Sequence, residues 1–289
     1  VKAGNTDVRV DEVTTPQTVQ ECVAFLKRRP QAIVWAGGTL LMAMDDHQAD
    51  QRPVSILDLH QVSELRQITG SDRSLEIGAG VSLQTILGLP QNQTLRPLKK
   101  VISSIANPAI RNMATLGGNM AAHSRFMSCF PVLMCMDASF EIRDSGGAHW
   151  SGLQRIIGPD GRPALPAAAL ITRIRLPALS CNVHCVKAMG DGNHPHPGAC
   201  TFAAAVRLEK HIVMDIRICA AGTVLFRDRE AELGLIGKYL PLARKDAEDI
   251  TSLFRERALA AGMTPGTAGR LVRYIRTFLE HAPEETFQD

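Results

Sequence analysis

Ala36-Gly37-Gly38-Thr39 and, about eighty positions on, Thr115-Leu116-Gly117-Gly118-Asn119 are the stretches of this 289-residue chain whose residue types and spacing carry a chemical meaning. Each glycine pair closes an apolar run. Glycine can take positive φ and leaves no Cβ between its N–H and an approaching anion. Consecutive amides at such a turn converge on phosphate oxygens, so two of them predict a dinucleotide held by its pyrophosphate. Each amide that donates to an ionised phosphate contributes about 1.5–3 kcal/mol. A single glycine pair is equally compatible with a strand-to-helix turn that binds nothing; the repetition with matching flanks favours the ligand.

Other clusters carry less. Gly78-Ala79-Gly80-Val81-Ser82-Leu83 follows a strand pattern and opens a helix, as a dinucleotide fingerprint does. Leu83 replaces its last glycine, however, and no acidic ribose partner follows. The segment reads better as a turn beside the same ligand. Cys181, His184, Cys185, His194, His196 and Cys200 are of metal-ligating type. Their spacing matches no familiar site, and Pro195 and Pro197 suit an interdomain coil, so no metal site is assigned. The methionines at 42, 44, 113, 120, 127, 134 and 136 read as flexible core filler. Arg270, Arg273 and Arg276 read as the solvated face of the last helix.

The elements that position these residues alternate in type. Thr15-Pro16 predicts an N-cap and first helical residue, with Val19, Val23 and Leu26 on one face until Pro30. Ala32–Trp35, Val54–Leu59 and Ser74–Gly78 read as strands, and Ser82 caps a helix through Leu87. Leu98–Ile105 reads as a helix, Pro131–Met136 as a buried one, and Ser139–Arg143 and Leu170–Leu176 as strands. A polar passage from Ser180 to Pro197 marks a change of character. Beyond it come paired strands, Ala199–Leu208 and Ile212–Cys219. Two helices follow, one over Lys245–Ala261 and one after Thr264-Pro265 with Leu271, Ile275 and Phe278 on one side.

At this length the chain can hold two domains without disulfides or metal. A 4% aromatic share argues against a base-stacking platform, and a net charge of +3 without a basic tract argues against nucleic acid and anionic membrane. No run reaches the roughly 18 apolar residues of a membrane span, and Val1 to Asp7 lack the apolar stretch of a signal peptide. The expected location is cytoplasmic. Seven irregularly spaced cysteines suit reduced thiols, and no Cys-x-x-Cys offers an iron–sulfur or structural zinc pattern.

The phrase Ile105 through Asn119, together with Ala36-Gly37-Gly38-Thr39, resembles the FAD-binding medium subunit of the molybdenum hydroxylases, the xanthine dehydrogenase and carbon monoxide dehydrogenase family. Further matches are Ile56-Leu57-Asp58-Leu59 with Glu64-Leu65, Ile77-Gly78-Ala79, and Pro131 through Ala138. The resemblance covers the first 178 residues well and the tail loosely. It implies an α+β fold, with a two-subdomain α/β FAD-binding domain over residues 1–178. A smaller domain over 179–289 would carry an antiparallel sheet and a helical bundle.

The resemblance also implies FAD contacts at Ile33, Val34, Trp35, Ala36, Gly37, Gly38, Thr39 and Leu40, and at Thr115, Leu116, Gly117, Gly118 and Asn119. Ser128, Leu170 and Lys187 complete that set. Leu40 and Ser128 stand where the family usually carries Asp, and Arg125 is a further candidate for a phosphate or a partner subunit. No catalytic side chain is expected, because the flavin carries the redox chemistry. The implied partners are a molybdopterin-binding large subunit and a [2Fe–2S] small subunit, with NAD+ as a possible acceptor. Two other readings share these residues: a non-catalytic scaffold that has lost FAD, and a stand-alone flavin oxidase of the related fold.

Overall fold

A computed structural model describes residues 10–43, 54–121, 129–158, 164–178, 181–189, 200–222 and 224–281. The architecture is α+β, built on three sheets. β1 (Val10–Thr14), α1 (Val19–Arg28), β2 (Ile33–Trp35), α2 (Thr39–Ala43) and β3 (Val54–Asp58) form the first unit. Its sheet is parallel in the order β1-β3-β2, with Ile33 to Trp35 beside Ile56 to Asp58. α1 begins later than Thr15-Pro16 suggests. Thr18 is the N-cap: its hydroxyl accepts from Glu21 N at 3.2 Å, and the Glu21 carboxylate accepts from Thr18 N at 3.4 Å. This reciprocal box satisfies two orphan amides, which a proline at the first helical position cannot do. Val19, Cys22, Phe25 and Leu26 then pack on Leu57, Leu59, Val62, Leu65 and Leu170.

The second sheet is antiparallel. β4 (Ile68–Gly70), β5 (Ser74–Gly78), β6 (Ser139–Asp144), β7 (Gly147–Gly152) and β8 (Leu170–Pro177) take the order β4-β5-β8-β6-β7. Glu76 pairs with Arg173 at 3.1 Å and Arg175 at 2.8 Å, and Glu141 with Arg173 at 3.1 Å, which locks the register of the three central strands. Between β5 and β6 the chain makes α3 (Leu83–Gly88), α4 (Arg96–Ser103), α5 (Pro108–Met113), α6 (Leu116–Ala121) and α7 (Phe130–Cys135). The second glycine pair therefore lies in the first turn of a helix and not in a loop.

The third sheet runs β12-β11-β10-β9, from β9 (Val183–Met189), β10 (Cys200–Glu209), β11 (Ile212–Ala221) and β12 (Leu225–Arg227). β9 corrects the expectation of a coil from Ser180 to Pro197. Val183 and Cys185 alternate inward, and the Cys and His content hid that period-2 pattern from a hydropathy reading. Residues 190–199, including His194, Pro195, His196 and Pro197, lie outside the described residues.

Both faces of this sheet are covered. Ala203, Ala205, Cys219 and Ala221 face the core that contains α7, while Phe202, Ala204, Val206, Ile216 and Ile218 face the other core. That second core is closed by α8 (Arg229–Leu233), α9 (Arg244–Ala260) and α10 (Pro265–His281). Small side chains on the first face let α7, buried all round, lie close on the strands. Burial of each of its larger apolar side chains contributes about 1.5–3 kcal/mol. Cys181 joins one core and Cys185 and Cys200 the other, so the cysteines of the tail are split between faces. Among the described residues, no three His, Cys, Asp or Glu side chains gather as metal ligands. No helix among them is long and apolar enough to cross a membrane.

Candidate functional site

The first glycine pair and the second are brought together by a third segment, the turn after β5. Gly78 N donates to Gln67 O at 2.8 Å, Ala79 N to Thr172 O at 2.9 Å and Gly80 N to Leu65 O at 2.7 Å. The other side of the turn receives the chain from α6, with Gly117 N donating to Ala79 O at 2.8 Å and Leu116 N to Val81 O at 3.0 Å. A Cβ on Gly78 would lie 2.3 Å from Leu65 O, and one on Gly117 would lie 2.6 Å from Ala79 Cβ. Both glycines are there because three backbones converge, leaving no room for a side chain.

Gly37 closes the assembly. A Cβ there would sit 2.0 Å from Met113 O and 2.7 Å from Met113 C, so the first loop lies directly on the residues that lead into the second. Gly38 alone of the two pairs has positive φ, at 68°, and it packs on the indole of Trp35. The cleft that results has a volume of about 290 Å³ and is lined by Ala36, Gly37, Leu59, His60, Arg66, Gly80, Val81, Ser82, Thr85, Asn112, Met113 and Thr115. That volume suits part of a dinucleotide, such as its pyrophosphate and a ribose.

The hydrogen-bonding state of the two pairs differs. In α6 every amide from Leu116 to Asn119 already has an acceptor inside the chain: Val81 O, Ala79 O, Thr115 Oγ1 at 3.0 Å for Gly118, and Thr115 O at 3.0 Å for Asn119. The amides of Gly37, Gly38, Thr39 and Leu40 have no acceptor among the described residues. Amides without an acceptor among the described residues thus belong to the first loop, while those of the second pair are engaged within the chain. Gly117 of the second pair packs on Ala79. Ser82 and Thr85 share a hydroxyl hydrogen bond of 2.8 Å, and Ser82 Oγ also accepts from Thr85 N at 3.1 Å. One hydroxyl proton of the two is left over for a ligand.

Arg111, in the lead-in to the second pair, is a brace. Its guanidinium donates to Ile105 O at 2.9 Å, Ala106 O at 2.8 Å and Gln84 Oε1 at 3.2 Å. It therefore holds the turn at Ala106, where φ is 44°, against α3.

Of the residues expected from the sequence, Ala36, Gly37 and Thr115 line the cleft. Ile33, Val34 and Trp35 form β2 behind it; Gly38 leads into α2, which Thr39 and Leu40 begin, and Leu40 packs on the main core. Leu116 and Gly117 are buried beneath it, Gly118 is exposed, and Asn119 Oδ1 accepts from Cys129 N at 3.2 Å. Leu170 belongs to the apolar cluster around α1, and Lys187 is exposed on β9 opposite Phe202; neither lines the cleft. Ser128 and Arg125 lie outside the described residues. Met42 and Met113, expected as core, are 76% and 56% exposed beside the first loop and the cleft. Asn112 falls within the phrase that carries the resemblance, whereas Arg66, His60 and Thr85 belong to no site motif; the signal for Arg66 is its place directly after Glu64-Leu65.

Residues 7–179 match the family described as the FAD binding domain in molybdopterin dehydrogenase. Aldehyde oxidase 2 of Cavia porcellus is 32% identical over 153 residues, which is 49% of this chain and 11% of that protein. A putative xanthine dehydrogenase FAD-binding subunit of Escherichia coli K12 is 30% identical over 162 residues, 55% of each chain. The matched stretch thus spans about half the length of the second relative and far less of the first. A chain from a solved structure of carbon monoxide dehydrogenase from Hydrogenophaga pseudoflava superposes with a TM-score of 0.81. It covers 96% of this chain and 97% of its own length at 22% identity, a likeness of fold.

Proposed function

The chain belongs to the family of FAD-binding domains in molybdopterin dehydrogenases, and from that premise we propose that it is the flavin-carrying subunit of a multi-subunit molybdenum hydroxylase. FAD, when bound, would take electrons from [2Fe–2S] clusters on a small partner subunit, supplied by a molybdopterin-binding large subunit, and deliver them to an acceptor such as NAD+. The chain's own residues position and hold. The observation that carries this reading is the contact of Gly37 with the Met113 carbonyl, which brings the first loop's unpartnered amides to a cleft shared with Thr115 and the turn at Gly80.

A pyrophosphate fits this cradle, because its oxygens can take the N–H groups of Gly37 to Leu40 and a hydroxyl proton from the Ser82–Thr85 pair. A side chain at Gly37 would collide with the Met113 carbonyl and push the first loop away from this cleft. The contact set read from the sequence, Ile33 to Leu40 and Thr115 to Asn119 with Ser128, Leu170 and Lys187, divides on this proposal into donors and supports. The first loop donates, while Leu116 to Asn119 and Leu170 hold the walls. We also place the domain boundary between residues 178 and 179, and the protein in the cytoplasm, a compartment that suits seven buried cysteines with no disulfide among the described residues.

Native isolation from the source cells tests the proposal. The expected result is a chain that carries FAD and migrates with two further subunits, one containing molybdenum and the other iron and acid-labile sulfide. A flavin-containing chain that migrates alone and oxidises a substrate by itself would overturn the subunit assignment.

A further inference from the structure

Among the groups that line the cleft, Arg66 carries a charge with no counterpart among the described residues. Arg66 ends the 3-10 turn Ser63–Arg66, and its guanidinium donates to His60 O, which fixes it on the cleft wall. The described residues place no carboxylate within ion-pair reach of it. The other cations near the loops are spoken for: Arg111 is committed to two carbonyls and Gln84, and Arg173 and Arg175 to Glu76. An arginine presents five N–H donors in a planar fork, so one bond to His60 leaves most of them free. Asp58, the nearest acidic neighbour in sequence to His60, uses its Oδ1 to accept from His60 N at 2.9 Å.

We propose that Arg66 is the counter-charge for the diphosphate in this cleft and so selects a pyrophosphate-bearing ligand over one with neutral substituents, a role that rests on the cofactor site proposed above. The amides of the first loop set where phosphate oxygens sit, and Arg66 supplies the full positive charge that amides lack. Its position is held from behind. Leu65, next to it, is 1% exposed in the cluster around α1, and Leu65 O accepts from Gly80 N, so the turn that carries Arg66 is anchored to the neighbouring turn at Gly80, which also lines the cleft. The fork then needs little reordering to meet an anion, which is where a pre-placed arginine gains over a lysine.

The test is a titration of FAD into flavin-free full-length protein, followed by flavin fluorescence at low and high salt, for the wild type, Arg66→Gln and Arg66→Lys. ADP, which shares the diphosphate but has no flavin, serves as competitor. The expected result is a Kd roughly tenfold weaker for Arg66→Gln, with a flattened salt dependence and loss of most ADP competition. Arg66→Lys should retain the salt dependence. A merely structural role at the His60 carbonyl would leave the salt dependence unchanged in every variant. Equal affinity of Arg66→Gln and wild type, or weaker binding with an unaltered salt dependence, overturns the role of Arg66 and leaves the cofactor site standing. Absence of FAD binding by the wild type overturns both.

Discussion

Gly37→Ala puts a methyl group where the structure has a carbonyl. The added Cβ would lie 2.0 Å from Met113 O, 2.7 Å from Met113 C and 3.1 Å from Ala114 Cα, whereas real Cβ contacts essentially never fall below 3.0 Å. The first loop and the end of α5 must therefore separate by about 1 Å, and the obstacle is backbone, which no rotamer change can clear. Overpacking of this kind costs about 1–3 kcal/mol, which for a chain of this size lowers Tm by roughly 2–10 °C. The larger effect falls on ligand binding, because the same displacement opens the cleft between Gly37 and Thr115 and misaligns the four free amides at once. With each amide–phosphate bond contributing about 1.5–3 kcal/mol, loss of two weakens FAD at least a hundredfold. Gly88→Ala is the control, since nothing lies within 4 Å of its Cβ. The assay is flavin content per chain on purification, with Tm by calorimetry. Gly37→Ala with full flavin content and unchanged Tm would show that the two loops do not meet at this distance, and the argument for a shared cradle would fail.

Gly117→Ala should destabilise the protein more than Gly118→Ala in thermal unfolding, because its Cβ meets Ala79 Cβ at 2.6 Å and Ala79 O at 2.8 Å, while that of Gly118 meets only Thr115 Oγ1 at 2.9 Å. Arg111→Met strips donors from the carbonyls of Ile105 and Ala106 and should cost about 1–3 kcal/mol; hydrogen exchange should accelerate across residues 105–116 and not in β10. Burial pushes the thiols of Cys129 and Cys200 up to about 12. Their thiolate fraction at neutral pH is then about 10⁻⁵, so a maleimide should leave both unlabelled in native protein and label them promptly in denaturant, as peptide mass mapping would show.

The glycine motifs were legible because close backbone approach leaves a residue-type signature, and Gly37 and Gly117, one in each pair, are where the approach occurs. Their separate roles were not legible. Whether an amide is free depends on the partner across the fold, and Ala79 O and Val81 O, which occupy the amides of Gly117 and Leu116, come into range only once the turn after β5 and α6 are docked. Arg66 went unnoticed for a related reason. A lone arginine has no period or motif, and its significance lies in an unanswered charge, which is a property of the assembled site. Local errors have local causes: Thr18 outcompeted Thr15-Pro16 because Glu21 completes a reciprocal cap, and β9 was hidden because Cys and His replaced the usual β-branched residues on its faces.

The most direct test of the central claim is the visible spectrum of the chain purified under gentle conditions, with chromatographic identification of whatever flavin it releases on denaturation. The account predicts the two flavin bands and stoichiometric FAD. A colourless chain that also takes up no FAD on titration would contradict it.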